Sequence, residues 1–497
     1  MPSNFRFFAT AVATSVATSA GCLLAAGAAN PRHRCRLNFK ENTSGSLPGP
    51  TLPVAASDIN ASSAVTTRLT CRRPWTGAAV ALALGLAACG GSDGLEPTVT
   101  LASTGPNVVS YWNDIANKTV NTAAAASTTP EEQRPSYHVD LATVHVAIYD
   151  AVSAIDGRFK PFAISPTAPA AGASMDAAAS AAAYGVLRAL FPNRSASYQA
   201  AYDSYVAALP AGDAKTRGLA LGDEVAAGVV RLRANDGRAV VLAPYVSGTA
   251  PGQFRSANPT PFNRFVPSIR PFSMTRVDQF RPAGPPALDS AAYAVALNES
   301  KAFGGTVSTV RTAEQLEIAR FHTETPSPYI TRNLGRFAST TTDVAEAARL
   351  MAFIYVVHAD AITACFEAKY FYGTWRPLSA IPLADTDNNA ATVADSAWTP
   401  VLPTPNHPEY PAAHSCTAGG LGETLHRYYG TRNVAYRFDS LATGTTRTYA
   451  TTDALSEESQ VARLYGGMHF RFATVDGVTL GSDVARWVAE RHFGRRN

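Results

Sequence analysis

The sequence predicts an all-α protein built from packed helical bundles. Apolar residues recur at helical spacing through most of the chain after residue 107, several of these stretches are rich in alanine, and no run of alternating apolar residues is bounded by hairpin turns. With 497 residues, 46% hydrophobic and only 16% charged, the chain has the composition of a globular protein with a large core. Helices packed on helices are therefore expected.

The predicted helices follow in order along the chain. In its first half they cover residues 107–120, 137–155, 173–190, 196–209 and 214–234. Residues 240–286 are rich in Pro, Gly, Phe and Arg and have no period, which predicts a long packed loop. In the second half the helices cover residues 289–303, 312–322, 342–370, 414–429, 453–465 and 482–492. Thr312 and Gln315 have the spacing of a capping box, which fixes the start of one of them.

Three regions are expected along the chain: an extension at 1–65, a signal and tether at 66–105, and a helical domain at 106–497. We interpret the extension as disordered or as lying outside the native protein, because the signal-like pattern begins only near residue 65. That pattern has three arginines, an apolar run too short to span a bilayer, and Leu-Ala-Ala before Cys89.

The signal is similar to that of a bacterial lipoprotein, with Cys89 as the acylated residue. We expect an exported protein that a lipid anchors to a membrane. The residue after the cysteine, Gly90, favours the periplasmic face of the outer membrane. An ordinary secretory signal with a chance cysteine is the alternative.

The charge and the cysteine content argue against several classes of function. The formal net charge is +4, and no basic run has interleaved aromatic residues, so nucleic-acid binding is not indicated. The absence of a Cys-x-x-Cys pair excludes a zinc ribbon or a thioredoxin-type site. Cys365 and Cys416 are expected as two buried thiols near one pocket or as a disulfide, which only an exported protein could keep.

Three stretches between residues 369 and 469 gather cations and imidazoles. Five residues in them supply three fixed cations and two imidazoles, with no carboxylate among the five: Lys369, Arg376, Arg463, His414 and His469. Arginines offer planar forks of donors, lysine a point charge, and an imidazole can bond a central atom or move a proton. The set matches what a tetrahedral or trigonal-bipyramidal oxyanion such as phosphate or vanadate needs.

Local sequence suggests how these residues converge. Lys369 ends a long helix, and a glycine then turns the chain so that Arg376, followed by a proline, comes back to the same point. His414 opens a helix, so backbone groups such as that of Ala413 and the positive end of the helix dipole are available to an oxyanion. Two adjacent glycines before His469 permit a kink that brings its side chain round.

The three stretches resemble the signatures of the superfamily that unites type 2 phosphatidic acid phosphatases with vanadium-dependent haloperoxidases. These signatures are Lys-x6-Arg-Pro, Pro-Ser-Gly-His and Ser-Arg-x5-His-x3-Asp. The first is intact, the second has Ala412 and Ala413 before its histidine, and the third has Ala462 and Ala473 in place of serine and aspartate. Residues 144–157 and 311–322 are also similar to helices of bacterial haloperoxidase-like members. The resemblance spans most of the domain and favours the haloperoxidase-like branch, in a bacterial lipoprotein form.

The resemblance implies a role for each residue. His469 would bond the vanadium of a vanadate cofactor, or form a phosphohistidine in a phosphatase, and His414 would be the acid–base partner across from it. The oxyanion would be bound by Lys369, Arg376, Arg463 and the backbone of Ala413. His407 stands where haloperoxidases carry a side chain beside the halide route; a turn histidine before a proline is the alternative.

The leading expectation is a vanadate-dependent haloperoxidase-like enzyme that oxidises halide with hydrogen peroxide. One alternative is an acid phosphatase acting on phosphate monoesters without a cofactor, and another is a lipoprotein that binds an oxyanion without turnover. The serine and aspartate lost at Ala412 and Ala473 would each have made a hydrogen bond to or near a charged group, worth about 1.5–3 kcal/mol. Their absence is expected to weaken vanadate binding or tune reactivity.

Overall fold

The computed structural model describes residues 98–122, 136–324 and 326–496. These residues form a mostly helical fold, as the sequence predicts, with one small sheet. Cys89, the extension at 1–65 and most of the tether lie outside the described residues.

The helices of the N-terminal half are α1 (Val108–Val120), α2 (Tyr137–Asp156), α3 (Met175–Leu190), α4 (Ser195–Ala208) and α5 (Asp213–Arg233). Those of the C-terminal half are α6 (Ala291–Gly304), α7 (Ala313–Phe321), α8 (Pro326–Gly335), α9 (Val344–Tyr372), α10 (Pro377–Ala380), α11 (Ala413–Tyr429), α12 (Ala454–Tyr465) and α13 (Arg471–Arg491). Both hydrogen bonds of the predicted capping box form at the start of α7, between Thr312 and Gln315.

The long helix α9 is the centre of the core. It packs against α2, α11 and α13, and nearly every residue from Ala345 to Lys369 is buried. Its length and apolar composition would suit a bilayer span, but 94% of its most apolar 18-residue stretch is buried inside the protein. Asp343 caps its start by accepting the backbone N–H groups of residues 345 and 346.

Helices α11 and α13 approach closely because glycines line their contact. A Cβ atom on Gly481 would lie 1.9 Å from the carbonyl oxygen of Cys416, and one on Gly477 would lie 2.7 Å from that of Ala412. The backbone N–H of Ala412 also donates to the carbonyl of Ala473 at 2.9 Å. This packing holds the start of α11 against the start of α13.

The long loop at 240–286 is irregular, as predicted, except for one 3₁₀ turn (Val266–Ser268). Buried carboxylates hold it in place. Asp360, in the middle of α9, accepts the backbone N–H groups of Phe272, Ser273 and Met274 at 2.7–3.0 Å. The loop is thus pinned to the helix that also carries Lys369.

The prediction that no stretch forms a strand was wrong. Strand β2 (Val434–Ser440) pairs antiparallel with β3 (Thr445–Tyr449) and parallel with the two-residue strand β1 (Val99–Thr100). Tyr436 and Phe438 of β2 point into the main core and alternate with more exposed residues. The turn between β2 and β3 has four residues with glycine last. It therefore lacks the two-residue Asn-Gly turn that marks a hairpin most clearly in a sequence.

Three helices were also mispredicted. Helix α8 and the four-residue helix α10 were not anticipated, and α13 begins at Arg471 rather than near residue 482. Gly477 and Gly481 interrupt the apolar period in the first half of α13, because they serve close packing against α11 rather than helix propensity.

Candidate active site

The first two predicted stretches are joined by hydrogen bonds. Gly373 ends α9 in the left-handed conformation (φ 56°), and Arg376 follows just before the proline that opens α10. The Nζ atom of Lys369 donates to the carbonyls of Pro408 and Glu409 at 3.1 and 3.0 Å. The Nε atom of Arg376 donates to the carbonyl of His407 at 2.9 Å. The turn after α9 therefore holds the segment before α11.

The third stretch joins the other two through Arg376. Its Nη1 atom lies 2.8 Å from the carbonyl of Met468 and 2.9 Å from Nε2 of His469. Helix α12 ends two residues after Arg463, and Gly467 then adopts φ 71°. A Cβ atom on Gly467 would lie 2.4 Å from the carbonyl of Gly304, so this turn needs glycine. The turn brings His469 to the same cluster, as the sequence predicts.

A carboxylate that the sequence analysis missed completes the cluster. Oε1 of Glu409 lies 2.9 Å from Nδ1 of His469 and accepts the backbone N–H of Phe470 at 3.0 Å. Because the Arg376 guanidinium can only donate, Nε2 of His469 must accept from it. The ring proton is then on Nδ1 and points at Glu409. Glu409 is therefore an addition to the five predicted residues, none of which is a carboxylate.

A signal for Glu409 was present in the sequence. It lies inside the second stretch, five residues before His414, while the third stretch lacks its usual aspartate at Ala473. The third stretch lacks a carboxylate and the second has an additional one, which suggests that Glu409 replaces the missing aspartate. Only the fold shows that the two positions serve the same histidine.

A cavity of about 380 Å³ opens onto part of the cluster and is lined by His407, Ala413, His414, Arg463 and His469. Ala413 is the first residue of α11, and the cap residue before it makes no side-chain hydrogen bond to the first turn. The amides of that turn are therefore free of a side-chain cap and suited to an anion. Lys369 and Arg376 lie behind the cavity wall, where Arg376 contacts two of the lining histidines.

His407 belongs to the cluster rather than to an isolated turn. Its Nδ1 atom lies 2.9 Å from Nη2 of Arg376, and its ring meets that of Phe366 edge-on at 5.2 Å between centroids. Burial, together with the charges of Arg376 and Lys369, holds the pKa of His407 well below its usual range. A neutral imidazole thus lies at the cavity wall.

Residues 349–495 match the family model described as the VCPO second helical-bundle domain, a range that includes every predicted site residue and Glu409. This part of the chain, less than a third of it, therefore resembles that helical-bundle domain. No curated protein matches the sequence.

Three solved structures are similar to this chain in fold. A bacterial vanadium-dependent iodoperoxidase superposes with a TM-score of 0.62 at 21% identity, covering 78% of this chain and 97% of the other. A bacterial vanadium-dependent chloroperoxidase gives 0.59 at 13% identity in its holo form, with coverages of 78% and 97%. Its apo form gives 0.55 at 14%, with coverages of 74% and 96%. At these identities the matches establish the fold.

The buried charges of the candidate site favour the binding of an anion. Lys369, Arg376 and Arg463 are 0%, 2% and 2% exposed, and no described carboxylate forms an ion pair with any of them. Burial lowers the pKa of Lys369 to about 8, that of Arg376 to about 10 and that of Arg463 to about 9. Burial also raises the pKa of Glu409 to about 7. Unpaired buried cations are costly, and a bound oxyanion would offset that cost.

The remaining hydrogen-bond donors fit vanadate or phosphate. A lysine has three N–H donors and an arginine five, so the described contacts leave one donor on Lys369 and three on Arg463, whereas those of Arg376 all contact His407, Met468 or His469. Nε of Arg463 has no partner within the described part of the chain. The lone pair of His469 Nε2 faces the same cations. An oxyanion would find both charge and donors here.

The two cysteines of the domain are present as buried free thiols, which is the first of the two states expected for them. The sulfur of Cys365 lies 3.8 Å from the carbonyl of Pro411, just before the start of α11. Cys416 lies on the face of α11 that meets Gly481. Both thiols therefore pack behind the candidate site.

Proposed function

We propose that the protein is a vanadate-dependent haloperoxidase that oxidises halide with hydrogen peroxide, with Lys369, Arg376, Arg463 and His469 holding the cofactor. The observation that carries the proposal is the cluster of three buried cations, none of which forms an ion pair with a carboxylate of the described residues, beside a histidine whose unprotonated nitrogen faces Arg376. Bound vanadate would activate peroxide toward the halide. The overall reaction consumes peroxide, halide and one proton, and yields hypohalous acid and water.

His469 would hold the central atom of the oxyanion through Nε2. Its Nδ1 proton is directed to Glu409, so Nε2 is unprotonated; its lone pair accepts from Nη1 of Arg376, and the bond to the oxyanion would replace that hydrogen bond. The positive charges of Lys369, Arg376 and Arg463 would stabilise negative charge on the oxyanion, the largest contribution in sites of this kind. Glu409 acts through His469 and is a positioning residue.

His414 would move the proton that the reaction consumes. It lines the same cavity as His469 and Arg463 and is half-buried. Burial, with the nearby charge of Arg463, holds its pKa well below the usual range, so the free site contains a neutral imidazole. A neutral ring can take a proton from peroxide and return it to a leaving oxygen. An anion in the site would raise this pKa toward neutrality.

A phosphatase is the second candidate, and the tautomer of His469 favours it. An unprotonated Nε2 backed by Glu409 is a nucleophile that could attack phosphorus and form a phosphohistidine. The cation cluster would serve phosphate as well as vanadate. The two functions differ in the need for vanadate.

The full-length protein should be assayed for bromide and iodide oxidation by peroxide, with and without added orthovanadate, and for hydrolysis of p-nitrophenyl phosphate. We expect halide oxidation that depends on vanadate and disappears in Arg463→Ala. Arg276→Ala, which changes an exposed arginine, is the matched control. Vanadate-independent ester hydrolysis without halide oxidation would assign the phosphatase. Oxyanion binding without either activity would assign a binding lipoprotein.

For the location, we propose an exported lipoprotein attached through Cys89 to the periplasmic face of the outer membrane. The support is the sequence pattern around that cysteine. Cys89→Ala should move the protein from the membrane fraction to the soluble fraction, whereas Cys71→Ala should leave it in place. Membrane retention in Cys89→Ala would contradict the proposal.

A further inference from the structure

The cavity is larger than the inorganic reaction requires. Its volume of about 380 Å³ falls in the range of pockets that bind organic molecules, roughly 300–1,000 Å³. Besides the oxyanion residues and the polar residues Asn263, Ser327 and Thr417, its lining is mostly apolar, and aromatic or branched: Tyr137, Phe262, Ile330, Ile362, Phe366 and Pro405. Peroxide and halide ions gain nothing from such walls, but an aromatic ring would pack well against them.

One polar side chain of the lining has no hydrogen-bond partner among the described residues. His138, on the first turn of α2, lines the cavity and is 3% exposed. Neither of its ring nitrogens has a hydrogen-bond partner among the described residues. Buried polar atoms nearly always have partners, so an unsatisfied imidazole at a cavity wall indicates a ligand or water that supplies them. A hydroxyl group can do so as donor or acceptor.

The charges of the cavity select a neutral ligand. Burial and the neighbouring His358 hold the pKa of His138 well below its usual range, so this ring carries no charge to pair with an anion. The fixed cation in the cavity lining, Arg463, belongs to the oxyanion residues. An organic molecule beside a bound oxyanion should therefore be uncharged, with an apolar body and a hydroxyl group. A phenol has this form.

We propose that the cavity binds a neutral phenol, with its ring between the apolar walls and its hydroxyl at His138, beside the site where halide is oxidised. The inference rests on the proposed haloperoxidase function. The hypohalous acid formed at the oxyanion would react with the bound ring before leaving. A carbon–halogen bond forms, the oxygen–halogen bond breaks, and the displaced ring proton leaves with hydroxide as water.

The test measures binding of 2-naphthol by isothermal titration calorimetry, on the full-length protein with saturating orthovanadate so that the oxyanion residues are occupied. We expect saturable binding in the wild-type protein. Ile330→Trp, which fills the cavity, should weaken it by about tenfold or more. Val295→Trp, on an exposed position of α6 outside the cavity lining, should bind as the wild type does.

The hydroxyl contact is tested at His138. His138→Leu should weaken 2-naphthol binding about fivefold, the value of one ordinary hydrogen bond, whereas His138→Gln should restore most of it. Iodide oxidation without any organic acceptor should be unchanged in both variants. Absence of saturable binding to the wild type, or equal binding to Ile330→Trp, would overturn the proposal. Binding without any halide oxidation would instead contradict the proposed function and leave a phenol site.

Discussion

The Oε1 atom of Glu409 lies 2.9 Å from Nδ1 of His469, and the backbone N–H of Phe470 donates to the same oxygen. This carboxylate takes the orienting role that the aspartate missing at Ala473 would be expected to play. It comes from the segment before α11 rather than from α13, which carries Ala473. The geometry leaves the other ring nitrogen of His469 facing Arg376.

Glu409→Ala should weaken vanadate binding by roughly 10–100-fold, because partners that orient a ligating histidine typically contribute that much. Glu409→Gln, which can still accept the His469 proton, should recover part of the affinity. Titration with orthovanadate followed by vanadium NMR would measure both. Glu299→Ala removes a surface ion pair with Arg471 and is the matched control. Equal vanadate affinity in Glu409→Ala and the wild type would show that Glu409 does not position His469.

Anion affinity should fall as pH rises through about 7 to 8. Burial lowers the pKa of Lys369 to about 8, so its positive charge is lost above that pH. Burial raises the pKa of Glu409 to about 7, so its negative charge appears above that pH. Both changes make the site less positive and act in the same direction. Sulfate, whose charge is constant over this range, is a suitable probe by calorimetry. In Lys369→Arg the sulfate affinity should no longer fall near pH 8, because arginine keeps its charge. A wild-type affinity that does not change with pH would contradict the assigned roles of Lys369 and Glu409.

The two histidines of the site should fail in different ways. His469→Ala should lose vanadate retention, since Nε2 is the proposed bond to the central atom. His414→Ala should still bind vanadate but turn over about 10²–10⁴-fold more slowly, because general acid–base catalysis is lost. Vanadate binding and the rate of halide oxidation, measured for both variants, would distinguish the two roles. Equal loss of binding in the two variants would show that the roles are misassigned.

Restoring the missing hydroxyl should strengthen the site. Ala412 is the N-cap of α11 and makes no side-chain hydrogen bond, so Ala412→Ser can cap the helix or donate to the oxyanion. We expect higher stability by about 1 kcal/mol if the hydroxyl caps the helix. A hydroxyl that contacts the oxyanion would tighten vanadate binding by roughly tenfold or more. Thermal melts and vanadate titration distinguish the two outcomes, and Ala412→Val, which has no hydroxyl, should give neither gain.

The close contact of α11 and α13 should be sensitive to a single methyl group. Gly481→Ala would place Cβ 1.9 Å from the carbonyl of Cys416, which forces the helices apart. We expect a loss of unfolding free energy of about 1–3 kcal/mol, in urea denaturation. Gly494→Ala, where nothing lies within 4 Å, is the control. Unchanged stability of Gly481→Ala would mean that the helices can shift without cost.

Much of the fold followed from the sequence, because helical period and capping are local properties. The bounds of α9 and the capping box of α7 depend on residues within a few positions of each other. Where residues serve distant packing, local patterns were misleading. Gly477 and Gly481 weakened the helical pattern in the first half of α13, although they are needed there because they let α11 pack closely against it.

The candidate site divides in the same way. Spacing alone determined that Lys369, Arg376 and Arg463 would provide cations and that two histidines would accompany them. Only the tertiary structure brought Glu409 to His469, sixty residues away along the chain, and joined His407 to Arg376. A local pattern specifies which chemical groups a segment carries. Which groups become partners depends on how buried segments pack, because a buried donor or charge takes whatever acceptor the fold places beside it.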